Sequence, residues 1–289
     1  MAGRRDVLRL AGAATTGGLA AALAGCSERV TSEAPEERWS TWAYDPETYG
    51  EDWQEYQLQY FEPTTMSRNR MYFTEDQRSQ HFFSVPWADF GDLDYYLELA
   101  AGGGNDPYPT VTVVEGSFGV DDVRRNLAEQ LTREGTVAGR ELYGSQREYR
   151  YAIDQGELVV MANSTRSELE AYLRDSDRSF VGDTPAFGQF FDRVGVGAST
   201  RMRLSGDGIE GFSYNIDGPT TTVKAMVPGS PALAERRQFE RRVSEVGARL
   251  GYPDAATVEF EDRSLFLELR METREAPFGR SPFSVLAER

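Results

Sequence analysis

Only one cysteine occurs in the chain, at position 26, so no disulfide can form within it and any fold must rest on a packed core. Material for that core is present, with 16 Phe, 14 Tyr and 4 Trp among 289 residues and 39% hydrophobic content. That is enough for one sizeable α+β domain or two small ones, and it excludes disorder throughout.

Charge narrows the partners. Asp and Glu number 47 against 31 basic residues, Lys224 is the only lysine, and the net charge is −16. Such a field repels phosphates and anionic headgroups, which excludes a nucleic-acid role. The same balance fits concentrated salt. Carboxylates hold water and hydrated cations at a surface, whereas lysine stems expose apolar area that salt drives together. At about 1 M salt the Debye length falls to about 3 Å, so the excess charge repels itself little. In dilute buffer that repulsion returns, and the composition predicts a halophilic domain that loses structure there.

Residues 1–25 read MAGRRDVLRLAGAATTGGLAAALAG, a basic start followed by an uncharged Ala/Gly/Leu stretch, which is the pattern of a signal peptide. Arg4-Arg5-Asp6-Val7-Leu8 resembles the twin-arginine export consensus. The stretch from Leu10 to Gly25 is weakly apolar and short of the roughly 20 strongly apolar residues a spanning helix needs. Leu23-Ala24-Gly25-Cys26 resembles a lipobox, whose small residues admit the signal peptidase and whose thiol accepts a thioether lipid. Residues 26–38 are then expected to be a lipidated Cys26 and a polar tether, which sets the chain on the outer face of the cytoplasmic membrane. Removing the signal, with its net charge of +2, takes the exported part from −16 to about −18.

Between 39 and 61 lie Trp39, Trp42, Tyr44, Tyr49, Trp53, Tyr56, Tyr60 and Phe61 among acidic residues. Aromatics flanked by carboxylates can stack on sugars, but Glu55 to Phe61 alternates like a strand, so the cluster reads first as an edge segment packing its rings on the domain. Next come a turn at Asp89 to Leu93, an extended piece to Leu99, a loop at Ala101 to Asn105 and a strand at Thr110 to Gly116. Val123, Leu127 and Leu131 predict a helix from Val120 to Arg133. Strands are expected at Gly139 to Tyr143, Tyr149 to Ile153 and Glu157 to Ala162, helices at Ser167 to Arg174 and Pro185 to Val194, and a strand at Thr200 to Ser205. This order is that of a ferredoxin-like βαββαβ unit. Further on, a hairpin over Gly211 to Val227, a helix to about Leu250 and a closing hairpin to Met271 repeat the theme. The fold expectation is α+β, with antiparallel sheets covered by helices on one face, in units 39–205 and 206–289.

Phe90-Gly91-Asp92-Leu93-Asp94, Val111 to Phe118 (VTVVEGSF) and the strand-turn-strand around Ala152 to Val160 resemble a family of haloarchaeal twin-arginine-exported lipoproteins. That family carries no assigned activity, so the resemblance implies location and fold alone.

Chemistry is harder to find in the chain. His81 is the sole histidine and Cys26 is taken by lipid, so neither His/Cys metal sites nor Ser-His or Cys-His nucleophile pairs can be built, and no cofactor is expected. His81 reads as a half-buried strand residue. Gly102-Gly103-Gly104 precedes a strand and lacks the helix dipole that would cradle phosphate. Asp89, Asp92 and Asp94, and Asp175 with Asp177, are spaced like calcium loops without the closing residues. Asn163-Ser164-Thr165 is an N-glycosylation sequon at a strand-to-helix junction. Two readings remain. One is a noncatalytic surface lipoprotein that binds a protein or small-molecule ligand. The other is an extracytoplasmic, glycosidase-like hydrolase using carboxylates alone, which requires two acids facing each other in an aromatic-lined cleft.

Overall fold

The computed structural model describes residues 35–48, 53–82, 85, 87–103, 109–127, 131–145, 149–174, 180–229, 233–249, 256–261 and 263–283. The expected signal with Arg4, Arg5, Leu23, Ala24 and Gly25, the lipid site Cys26, and the Asp175/Asp177 pair lie outside the described residues.

In chain order the elements are α1 (Pro35–Trp42), β1 (Glu55–Phe61), α2 (Pro63–Arg68), α3 (Glu75–His81), β2 (Leu93–Gly102), β3 (Thr110–Gly116), α4 (Val120–Asn126), β4 (Thr132–Val137), β5 (Arg140–Gly144), β6 (Tyr149–Asp154) and β7 (Glu157–Ala162). There follow α5 (Arg166–Arg174), α6 (Phe180–Asp183), α7 (Pro185–Arg193), β8 (Ser199–Ser205), β9 (Gly208–Asp217), β10 (Thr220–Pro228), α8 (Leu233–Arg249), β11 (Ala256–Glu261) and β12 (Ser264–Glu272). The strands form one 12-stranded sheet in the order β11-β12-β10-β9-β8-β1-β2-β3-β7-β6-β5-β4. Every pairing in it is antiparallel. The chain is therefore α+β, built on a large antiparallel sheet with helices.

Several expectations are corrected. A ferredoxin-like βαββαβ unit sets its last strand beside its first, whereas β1 and β2 lie between β3 and β8 in this sheet of 12 strands. A further difference lies after α4, which ends at Asn126 rather than running to Arg133; Thr132–Val137 is a strand, paired with β5 across a bulge near Gly135. Leu127 and Leu131 still pack on the same core as Val123 although the helix has ended, which is why their spacing reads as helical. From β4 the chain then meanders back through tight turns at Gly139 and Gly156, both at positive φ, until β7 reaches β3.

Helices lie on both faces of the sheet, not one. On the first face, α1, α5, α6 and α7 cover a single apolar layer that includes Tyr56, Leu58, Tyr95, Leu97, Val113, Met161, Met202 and Phe266. On the second face, two separate clusters lie over the two halves of the sheet. One joins Met66, Phe73, Val243, Val246 and Phe278 to Tyr214, Leu267 and Leu269. The other joins Val123 and Phe118 to Val114, Ile153 and Leu158. Strands such as β12 are apolar at successive positions, Leu265-Phe266-Leu267, and so demand cover on both sides.

α1 begins at Pro35, within the residues expected as tether. Its Trp39 and Trp42, with Tyr44, Tyr56 and Tyr60, are buried, so the aromatic cluster packs on the domain. The loop expected from Ala101 starts later, because β2 continues to Gly102. The boundary expected after Ser205 falls at the turn between β8 and β9, which pair from Ser199↔Tyr214 to Ser205↔Gly208, so the sheet is continuous there.

Candidate functional site

Two arrangements of polar side chains stand out, one on each face of the sheet. The first lies where α1 meets the strands. Trp42 Nε1 donates to the Tyr95 hydroxyl at 3.0 Å, and that hydroxyl donates to Glu115 Oε1 at 2.5 Å. The Arg38 guanidinium lies 4.9 Å above the Tyr95 ring and donates to the Tyr60 hydroxyl at 3.2 Å, which donates to Glu62 at 2.8 Å. Glu115 is directly opposite Glu157 in the β3–β7 ladder, and Glu157 is held by Arg140, whose guanidinium lies 5.7 Å from the Trp42 ring.

These environments divide the two acids. Burial raises the Glu115 pKa above the ordinary carboxylate range, with Glu157 adding to the rise and the Tyr95 hydrogen bond opposing it. Glu157, by contrast, has a guanidinium hydrogen-bonded to it. Burial, with Glu115 second, pushes Tyr95 well above its usual pKa, so the phenol stays protonated and donates. Two acids in unlike environments are an arrangement that carboxylate hydrolases use. Here both acids already have partners, and those partners fasten α1 to the sheet.

The second arrangement is open. Between the two apolar clusters of the second face, the central strands present Glu55, Gln57 and Gln59 of β1, Glu98 of β2, Thr112 of β3, Arg201 and Arg203 of β8, and Glu210 of β9. Gln57, Arg201 and Arg203 are exposed and the others half-buried. Cross-strand contacts knit them together. Arg201 donates to Gln59 at 2.6 Å, Gln57 donates to Glu55 at 2.8 Å, and Arg203 lies 3.4 Å from Glu55 and 2.7 Å from Glu210. The stripe exists because Glu55, Gln57 and Gln59 of β1 and Arg201 and Arg203 of β8 fall at every second position on this face, while their alternates Tyr56, Leu58, Met202 and Leu204 are buried under the helices of the first face.

His81 borders this region as the last residue of α3, not in a strand. A capping box between Thr74 and Gln77 starts that helix, a signal the sequence carried in the order Thr-x-x-Gln. Burial lowers the His81 pKa and nearby Arg201 lowers it further, against a hydrogen bond with the Phe278 backbone. Asp89, Asp92 and Asp94 are exposed around a short 3-10 turn, Phe90–Asp92. Among the described residues no three His, Cys, Asp or Glu groups converge to hold a metal ion. Asn163 is exposed at the end of β7.

A cavity of about 210 Å³ opens beside α7, lined by Asp192, Arg193, Lys224, Glu259, Phe266 and Glu268. Both of its basic groups are already paired with acids. Arg193 lies 4.5 Å over the Phe266 ring and pairs with Glu259 and Glu261, while Lys224 lies 3.8 Å from Glu268.

Neither acid of the Glu115–Glu157 pair nor either arginine of the stripe was legible as a site residue, because each acquires its neighbours from strand register. The signal available was the Glu that ends TVTVVE and the Glu that begins ELVVMA, which a hairpin-like pairing of those strands would place together.

No family model matches the chain, and no curated protein matches its sequence. Among solved structures, crystal form III of TP0453 aligns over 80% of this chain and 95% of its own at 11% identity, with a TM-score of 0.47. Crystal form I aligns over 80% and 94% at 13% identity, with a TM-score of 0.44. Similarity at that level carries no inference about chemistry. Among the described residues no helix is long and apolar enough to cross a membrane.

Proposed function

We propose that this chain is a lipid-anchored, extracytoplasmic binding protein that presents the polar stripe of its central strands to a polar partner. The observation that carries the reading is the stripe itself, a band of exposed and half-buried polar residues lying between the two apolar clusters of this face among the described residues. The aromatic rings that could have stacked on sugar, Trp39, Trp42, Tyr56 and Tyr60, are instead buried against the sheet. Anchoring rests on the lipobox Leu23-Ala24-Gly25-Cys26 and the twin-arginine pair Arg4-Arg5. Cys26 precedes α1 by only a few residues, and at about 3.3–3.6 Å per extended residue the domain stays within a few nanometres of the membrane.

Two measurements test this. Mass spectrometry of the native protein should find a diacylglyceryl group on Cys26 and residues 1–25 removed; an intact chain with a free thiol would overturn the location. Crosslinking on intact cells should capture a partner that the variant Arg201→Glu/Arg203→Glu loses while its unfolding midpoint is unchanged. Identical capture by both proteins would remove the stripe from the interface.

The facing acids Glu115 and Glu157 favour one alternative, a carboxylate-only hydrolase. It requires hydrolysis of a surface polysaccharide, read as release of reducing ends, that Glu115→Gln abolishes.

A further inference from the structure

We propose that Asn163 is an N-glycosylation site, the acceptor for an oligosaccharide delivered on a lipid phosphate to the folded, exported chain. The proposal rests on the extracytoplasmic reading above, since the donor acts on that side of the membrane. It is carried by four features of the junction between β7 and α5.

The residues are Asn163-Ser164-Thr165, the sequon that such transfer requires. Asn163 is exposed and takes a left-handed conformation, φ 53°, which breaks the strand immediately after Ala162 and which asparagine tolerates better than most residues. Its side-chain amide has no hydrogen-bond partner among the described residues. Ser164 is buried, and its hydroxyl donates to the Met161 carbonyl at 3.0 Å, which fixes the bend that presents Asn163.

The third residue has a second role. Thr165 caps α5, where its Oγ1 accepts from the Glu168 amide at 3.3 Å and the Glu168 carboxylate accepts from both the Thr165 amide and hydroxyl. Thr165 is itself exposed, so its hydroxyl is reachable without unfolding the helix. Twin-arginine export delivers folded cargo, so an acceptor on this chain has to be reachable in the folded state, as Asn163 is. The neighbouring strand adds a surface for the sugar. Tyr149 is exposed to 37% and pairs with Ala162, one residue before the acceptor.

In the transfer, the Asn163 amide nitrogen forms a bond to the anomeric carbon of the donor sugar. The bond between that carbon and the phosphate oxygen breaks, and the lipid phosphate leaves with the electron pair. The amide proton passes to a base of the transferring enzyme. Nothing is oxidised or reduced.

The experiment uses the native protein from its own membranes. Trypsin releases Tyr151 to Arg166 as one peptide, and mass spectrometry is expected to find it carrying the mass of a glycan localised to Asn163. An unmodified peptide overturns the proposal whatever the state of Cys26, and the Cys26 peptide, measured in the same digest, decides the location separately. Two variants separate the sequon from the helix cap. Thr165→Ser keeps both and should remain modified. Thr165→Gly removes the hydroxyl but costs the cap only about a few tenths of a kcal/mol and brings no second carboxylate beside Glu168, so the glycan should disappear with little change in the unfolding midpoint. Retention of the glycan on Thr165→Gly would also overturn the proposal.

Discussion

Replacing Trp39 with alanine tests whether the fold begins at Pro35 or whether residues 35–38 still belong to a tether. Trp39 is fully buried, with its ring centroid 6.0 Å from Tyr60, 6.4 Å from Phe190 and 5.5 Å from Phe191, so it joins α1 to both β1 and α7. Truncating a core aromatic of this kind costs about 3–5 kcal/mol, against a total stability on the order of 5–15 kcal/mol. At roughly 2–4 °C per kcal/mol for a domain of this size, the melting midpoint should fall by about 6–20 °C. A second substitution sharpens the test. Trp39 Nε1 is buried without a hydrogen-bond partner, and such a donor costs about 1–3 kcal/mol in the native state. Trp39→Phe removes that cost along with part of the ring, and should lose well under half of what alanine loses. The assay is thermal and urea unfolding by circular dichroism in about 3 M KCl, where charge is screened, with limited trypsin cleavage at Arg38 as a local readout. An alanine variant that melts with the parent protein would refute the reasoning, because it would mean that α1 contributes nothing to the fold.

Two further outcomes follow from charge. Burial raises the Glu115 pKa, so its ionised form destabilises the native state: the stability present below the unfolded pKa is lost as pH rises through the folded value. Glu115→Gln, which still accepts from Tyr95, should therefore raise the urea midpoint at pH 7 and flatten its pH dependence above the carboxylate range; a lower midpoint at pH 7 would refute this. The far-UV circular dichroism of the parent protein should decay as KCl is lowered from about 3 M to 0.1 M, where the Debye length grows to about 10 Å and the excess of acids repels itself. A spectrum unchanged over that range would count against the halophilic reading.

What the sequence made legible was local. The strands EYQLQYF, TVTVVEG and ELVVMA coincide with β1, β3 and β7, since each alternates or runs apolar over a length that only a strand accommodates. β4 was missed because an edge strand buries little; TREGTV is mostly exposed and shows no apolar period. α1 was missed because its first residues are polar, and because Trp39 and Trp42, three apart on one helical face, look like any loose run of aromatics until the surface beneath them is known. Long-range facts had no local trace at all. That Glu115 faces Glu157, or that Arg201 reaches Gln59 across 142 positions of sequence, follows from strand order alone.

The open stripe also raises a question of stability. A sheet of 12 strands could have carried apolar cover across the whole of its second face, as it does at both halves. The cross-strand ion pairs of Arg203 do little to replace that cover. Exposed pairs contribute about 0–1 kcal/mol in ordinary buffer, and concentrated salt screens them further. In concentrated salt their contribution to folding is therefore close to nothing. Arginine suits recognition under such conditions. Its planar fork makes directed, paired hydrogen bonds and sheds water more readily than an ammonium, so it keeps geometric specificity when long-range attraction is gone. On the binding reading proposed above, two arginines set among glutamines and glutamates would serve a polar partner more than they serve the fold.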